Sequence, residues 1–275
     1  MPKELQKVFR SPANCNFCWN VNSAKMLSNI EPDDFEQKFA YNGNVVIVTD
    51  AMKNWTAPDL FDFWYFKNLY TKEDPRKKTL SCQFFPYKTK FLNLFETFKM
   101  NENRIEYKDG TEPWYFGWSN CNEHIAELLR KHYDRPYFLP KSSELNAIDW
   151  IFMGGKGLGA HMHVRALDYY DQFNSIIYLF LIIFSKLDDV HLPSWQAQLK
   201  GTKQWFLAPP PECIFECNSF SVLVNPGDMS KFQLVILTKS LLNIRFTVVL
   251  DTNRWYHKTN VVSKEISITI GAEYD

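Results

Sequence analysis

The sequence predicts a mainly β fold, a double-stranded β-helix or jelly roll with flanking N-terminal helices. Three observations carry this. From Thr79 onward, short β-prone runs are separated by turn residues every ten or so positions, the spacing of a barrel or jelly roll. Aromatics make up 16% of the chain, as nine Trp, 13 Tyr and 23 Phe against only 10 Gly, a composition suited to pleated, half-buried surfaces. No GxGxxG or Walker-type loop is present, which sets aside a doubly wound nucleotide binder.

Taken in order, Glu31 to Tyr41 reads as an amphipathic helix feeding "NVVIVTDAMKNW", whose β-branched run predicts a buried strand. "DLFDFWYFKNLY" has apolar residues at helical spacing, and "TKEDPRKK" after it is a solvated loop. "TLSCQFF" and "WYFGWSN" are strands. "EHIAELLRKHY" is a helix with Asn122 as its N-cap, and "RPYFLPKSSELNA" is a Pro-bounded loop. "IDWIFMGG" is the next strand. Beyond residue 190 come "SWQAQLKG", "KQWFLAPP", "SFSVLVNPGD", "VVLDTNRWYHKT" and "EISITIGAEY". No linker or repeat marks a second domain, so the chain divides into a helical lead-in over 1–43 and one domain over 44–275.

The 31 basic and 31 acidic residues cancel, so no net field draws the protein to nucleic acid or an anionic membrane. The start lacks the apolar core of a signal peptide, which argues for the cytosol or nucleus. "IIYLFLIIF" is too short to span a bilayer, which needs about 20 residues. Six cysteines, Cys15, Cys18, Cys82, Cys121, Cys213 and Cys217, sit at scattered spacings and suggest reduced thiols. Cys15 and Cys18 have zinc-ribbon spacing without an obvious second pair.

The chemistry lies around "AHMHVRALDYYDQFNSIIYLFLIIFSKLDDVHLPSW". A mononuclear iron centre of the two-His, one-carboxylate kind takes His-x-Asp from one strand and a distant His from another. His163 is followed at the acid's place by Arg165, and the acid appears only at Asp188. Removing 165–187 joins His163-Val164 to Asp188. Removing 230–247 likewise joins "VNPGDM" to "VVLDTNRWYHKT". Both segments differ in character from their flanks and read as inserts translated from retained introns, with two natural surface insertions as the alternative.

With these repairs, "NVVIVTDAMKNW", "WYFGWSN", "RPYFLP", "DWIFMGGKGLGAHMHVDD", "SWQAQLKGTKQWFLAPP" and "PGDM...VVLDTNRWYH" occur in the order and spacing of a known family. From about Asn44 to its end, the chain resembles the JmjC branch of the cupin-like 2-oxoglutarate oxygenases. Within it the chain is most similar to the small hydroxylases typified by the bifunctional arginine demethylase and lysyl-hydroxylase. The resemblance implies Fe(II) held by His163, Asp188 and His257, and 2-oxoglutarate as co-substrate. It implies that Lys203 bonds the far carboxylate of 2-oxoglutarate and that Thr269 shares it. Gln196 stands where the closest relatives have Asn, which leaves its polar contact open. The implied partner is a protein or peptide whose side chain is hydroxylated or demethylated. The alternative is a non-catalytic cupin-fold interaction module.

Other residues have plainer expectations. His161 is a rival ligand two residues early, and Asp189 a rival carboxylate. Trp195, Trp205 and Trp255 are expected in the core, and His124 and His132 on a helix surface.

Overall fold

The computed structural model describes residues 13–73, 83–144, 148–162, 192–227, 244–250 and 254–275. The N-terminal part carries strand β1 (Lys25–Leu27), helix α1 (Pro32–Phe35) running into a π turn over Glu36–Ala40, and strand β2 (Val46–Val48). Helices α2 (Ala57–Leu60) and α3 (Phe63–Glu73) precede β3 (Phe84–Phe85), α4 (Leu94–Thr97) and α5 (Glu102–Ile105). Strand β4 (Tyr115–Asn120), helix α6 (Glu123–Leu129) and strand β5 (Asp149–Gly154) follow. The C-terminal strands are β6 (Ser194–Lys200), β7 (Lys203–Ala208), β8 (Phe220–Val224), β9 (Pro226–Gly227), β10 (Ile244–Arg245), β11 (Thr247–Leu250), β12 (Tyr256–Val261) and β13 (Ser267–Glu273).

Local chemistry explains these elements. Pro32 fits the first turn of α1, where its missing N–H is not needed. In β2, three β-branched residues are buried on both faces. The side chain of Asn122 accepts a hydrogen bond from the Ile125 amide at 3.1 Å, capping α6 as its sequence predicts. Each strand foreseen from the sequence has a counterpart among the described residues.

Eight strands form one mixed sheet in the order β1-β2-β11-β6-β13-β5-β4-β3, and a three-stranded sheet has the order β12-β7-β8. From β6 the chain passes to β7 and β8 in the small sheet, to β11 in the large, to β12 in the small and to β13 in the large. That winding between two sheets is the double-stranded β-helix. Alternation along the strands gives the large sheet two unlike faces. Val46, Val48, Trp195, Ala197, Leu199, Ile268 and Ile270 face the helices with Phe35, Phe66 and Trp118. Ile47, Val248 and Leu250 face the small sheet and meet Trp205, Leu207, Val224 and Trp255. Trp195, Trp205 and Trp255 are all core residues, as expected.

Four expectations need correction. The stretch over 1–43 is not helical alone: β1 pairs in parallel with β2, and Phe17 and Cys18 belong to the inter-sheet core. The second predicted insert does not lie wholly outside the sheet. Ile244, Arg245 and Thr247 are in strands, Phe246 between them is buried, and Thr247 pairs with Val48 and Ala197. His132 is half-buried, with its ring 3.0 Å from the Thr56 hydroxyl and edge-on to Phe61.

The cysteines are the fourth correction. Cys15 is bonded to Cys213 and Cys18 to Cys217, across 198 and 199 residues of chain, and Cys121 is also disulfide-bonded. The partners are a CxxC and a CxxxC far apart in sequence, which only the fold sets side by side. Once one rung is closed, the other closes only a small ring, and loop entropy falls with the logarithm of loop length. Losing either rung alone, as in Cys15→Ser, should therefore cost little. The Cys15→Ser/Cys18→Ser double variant should lose about 3–5 kcal/mol. Thermal melts check this: a double variant no less stable than the single ones would contradict it.

Candidate functional site

The inner face of the large sheet changes character along its length. Near β2 and β11 it is apolar, whereas β6, β13, β5 and β4 present Gln196, Gln198, Ser267, Thr269, Phe152 and Tyr115. These residues alternate with ones that face the helix layer, so the same period that builds the core also builds this polar interior.

Lys203 enters the interior from β7 and is 1% exposed. Its Nζ donates to Thr269 Oγ1 at 3.0 Å and lies 5.5 Å from the ring centre of Tyr115 and 5.8 Å from that of Phe152. No carboxylate pairs with it among the described residues. Burial pushes its ammonium down to about 7, because a charge without a counterion is costly away from water. Gly117 makes room for the Phe152 ring, since a Cβ there would come within 2.3 Å of it.

Tyr115 and Thr259 hydrogen-bond through their hydroxyls, and burial raises the Tyr115 hydroxyl well above its ordinary value, keeping it a donor. The Ala160 amide donates to Thr259 Oγ1 at 3.0 Å, and backbone bonds join Leu158 to Val261 and Ala160 to Thr259. Segment 157–160 therefore runs antiparallel beside β12, and Gly159 permits the approach, because a Cβ would sit 2.1 Å from the Thr259 carbonyl oxygen. His161 is carried along β12 towards the His257 end.

His257 is half-buried on β12, opposite Leu207, with its ring stacked at 5.6 Å on Trp205. Its Nδ1 is 3.3 Å from the Trp255 carbonyl oxygen. A carbonyl only accepts, so in this contact Nδ1 carries a proton, and Nε2 is the nitrogen turned to other partners. Gln196 lies between Val248 and Gly271, and its buried Oε1 has no hydrogen-bond partner among the described residues. A cavity of about 340 Å³ is lined among others by Tyr87, Tyr115, His161, Phe206, Lys258 and Thr259, so it shares Tyr115 and Thr259 with this interior, whereas Lys203, Thr269, Gln196 and His257 are not part of its lining.

Of the site residues predicted from sequence, Lys203 and Thr269 are brought into contact, and His257 and Gln196 are described as above. His163, Asp188 and the rival Asp189 lie outside the described residues. His161 lines the cavity, edge-on to Tyr87. Tyr115 and Thr259 were missed. Tyr115 had a signal, since in "WYFGWSN" it takes the phase opposite to the core residues Phe116 and Trp118.

No protein-family model and no curated protein matches this chain. Among solved structures, the X-ray structure of E. coli ycfD matches at 9% identity with a TM-score of 0.43. The match covers 89% of this chain and 53% of that one, so the chain spans about half that protein's length.

Proposed function

We propose that the chain is an Fe(II)- and 2-oxoglutarate-dependent oxygenase that hydroxylates a protein side chain, or demethylates one through hydroxylation. The observation that carries the reading is Lys203: a buried ammonium with a hydroxyl partner and no carboxylate among the described residues. Burying a charge is tolerated where a counterion completes it, and a carboxylate ligand supplies that ion. In this reading Lys203 and Thr269 hold the far carboxylate of 2-oxoglutarate, with Tyr115 a further donor beside it. Gln196 offers its amide to the co-substrate or substrate.

His257, with His163 and Asp188, would hold the metal. The chemistry that Fe(II) supplies when bound is activation of oxygen coupled to decarboxylation of 2-oxoglutarate to succinate and carbon dioxide. The residues contribute position. Trp205 and the Trp255 carbonyl fix the His257 ring, Thr259 orients Tyr115, and the aromatic walls exclude water from the lysine.

Iron-dependent succinate formation tests the reading. His257→Ala should abolish it, because a site of three protein ligands does not survive the loss of one. Thr269→Val should weaken 2-oxoglutarate about tenfold and spare metal binding, as expected for one hydrogen bond to a charged pair. Turnover that survives His257→Ala would show that the metal is held elsewhere. No 2-oxoglutarate consumption at all would leave the chain as a non-catalytic interaction module.

A further inference from the structure

Two observations outside the barrel interior converge. The first is the cysteines: Cys15–Cys213, Cys18–Cys217 and a disulfide at Cys121 leave no cysteine free among the described residues. The glutathione and thioredoxin systems of a reducing cytosol keep such thiols apart, whereas oxidising compartments preserve structural disulfides. The second is Asn54-Trp55-Thr56, an Asn-x-Thr acceptor sequence. Asn54 is exposed and ends the turn over 51–54 between β2 and α2. Trp55 is buried, 6.0 Å from Trp195 and 5.6 Å from Tyr133 between ring centres, so the turn is anchored with Asn54 outward.

We propose that Asn54 is an N-glycan acceptor and that the chain folds in an oxidising, glycan-transferring compartment of the secretory pathway. Trp55 packs on the helix-covered face of the large sheet, whereas the cavity opens on the other face. A glycan on Asn54 therefore adds bulk and solubility without obstructing the cavity. The inference goes beyond the oxygenase reading and does not depend on turnover. Its consequence for substrate, a protein of the same compartment, rests on that reading.

The chemistry balances with co-reactants of known class. The Asn54 amide nitrogen bonds the anomeric carbon of a polyprenyl-diphosphate oligosaccharide. The carbon–oxygen bond to phosphate breaks, the diphosphate leaves with the electron pair, and the amide gives up one proton. Each disulfide forms as two thiols pass two electrons and two protons to an oxidised dithiol catalyst, which becomes the dithiol.

The test uses the full chain in cultured eukaryotic cells, with and without a cleavable secretion leader, and reads denatured lysates so that solubility does not matter. The leader-bearing chain should lose one glycan's mobility on peptide N-glycosidase treatment. Asn54→Gln and Thr56→Ala should each abolish that shift, and Thr56→Ser should retain it. Alkylation before reduction should leave Cys15, Cys18, Cys121, Cys213 and Cys217 unlabelled. Three results would overturn the proposal: no shift in the leader-bearing chain; a leaderless chain that is soluble with these thiols reduced; or a zinc ion held stoichiometrically by Cys15, Cys18, Cys213 and Cys217 as thiolates.

Discussion

Replacing Lys203 with methionine should make the ligand-free chain more stable while weakening 2-oxoglutarate binding by about 30-fold or more. The two effects have one cause. The ammonium is buried without a carboxylate among the described residues, so an apolar side chain of similar length removes a cost worth about 1–4 kcal/mol. The same change removes the ligand's charge partner, at about 2–5 kcal/mol of binding. The sign of the pH dependence follows from the ordinary value of 10.5 and the folded value of about 7. Between them the unfolded chain holds a proton that the folded chain lacks. Stability should therefore rise with pH through that window and be lost as pH falls towards 7. At about 1.4 kcal/mol per unit, wild type should gain about 2–3 kcal/mol from pH 7 to 9 relative to Lys203→Met. Denaturant unfolding of both proteins at the two pH values measures this. Parallel pH profiles would mean that Lys203 is solvated or paired.

The second large effect concerns the predicted inserts. Excising 165–187 and 230–247 together should move the protein from the insoluble to the soluble fraction and restore succinate formation. As printed, the chain should be largely insoluble and inactive. "IIYLFLIIF" is an uncharged, β-prone run of the kind that drives aggregation, and the first excision restores His163-Val164-Asp188. The structure adds a particular reason for the second. Thr247 is fully buried in β11, and its hydroxyl has no hydrogen-bond partner among the described residues. Excision places Met229 directly before Val248, an apolar residue where the stranded hydroxyl now lies. In the full chain, Thr247→Val should accordingly stabilise by about 1 kcal/mol. A soluble, iron-loaded and active full-length product would make both segments genuine loops. Solubility and activity that return only when 244–247 are kept would set the boundary at 243.

Much of the fold could be read from the sequence because its signals are local. Alternation in "KQWFLA" and "SITIGAE", the Asn122 cap and the β-branched run of β2 each act within a few residues, and the structure forms each element there. What escaped depends on partners far apart. Nothing near Cys15 specifies a bond to Cys213, and six cysteines at scattered spacings favoured reduced thiols. The strand pairing of 244–247 was hidden by a change of composition that begins before it. The spacing of family-like motifs brought Lys203 and Thr269 together on paper, and the structure places them in contact. The place of Tyr115 beside Lys203 was not anticipated, because it appears only when β4 is set across the interior from β7. Thr259 was hidden in the same way, since its neighbour Ala160 is distant in sequence.

The most direct test of the proposed co-substrate site is the proton count on binding. At pH 8 a lysine titrating at about 7 is mostly neutral in the free protein, and a bound carboxylate restores its charge. Calorimetric titration of 2-oxoglutarate, with Mn(II) present and in buffers of different ionisation enthalpy, should show uptake of about one proton per ligand. Affinity should fall about tenfold for each pH unit above 7, and Lys203→Met should show no uptake and the much weaker binding given above. Binding of 2-oxoglutarate without proton uptake, equally tight in Lys203→Met, would contradict the assignment of this lysine and of the site built around it.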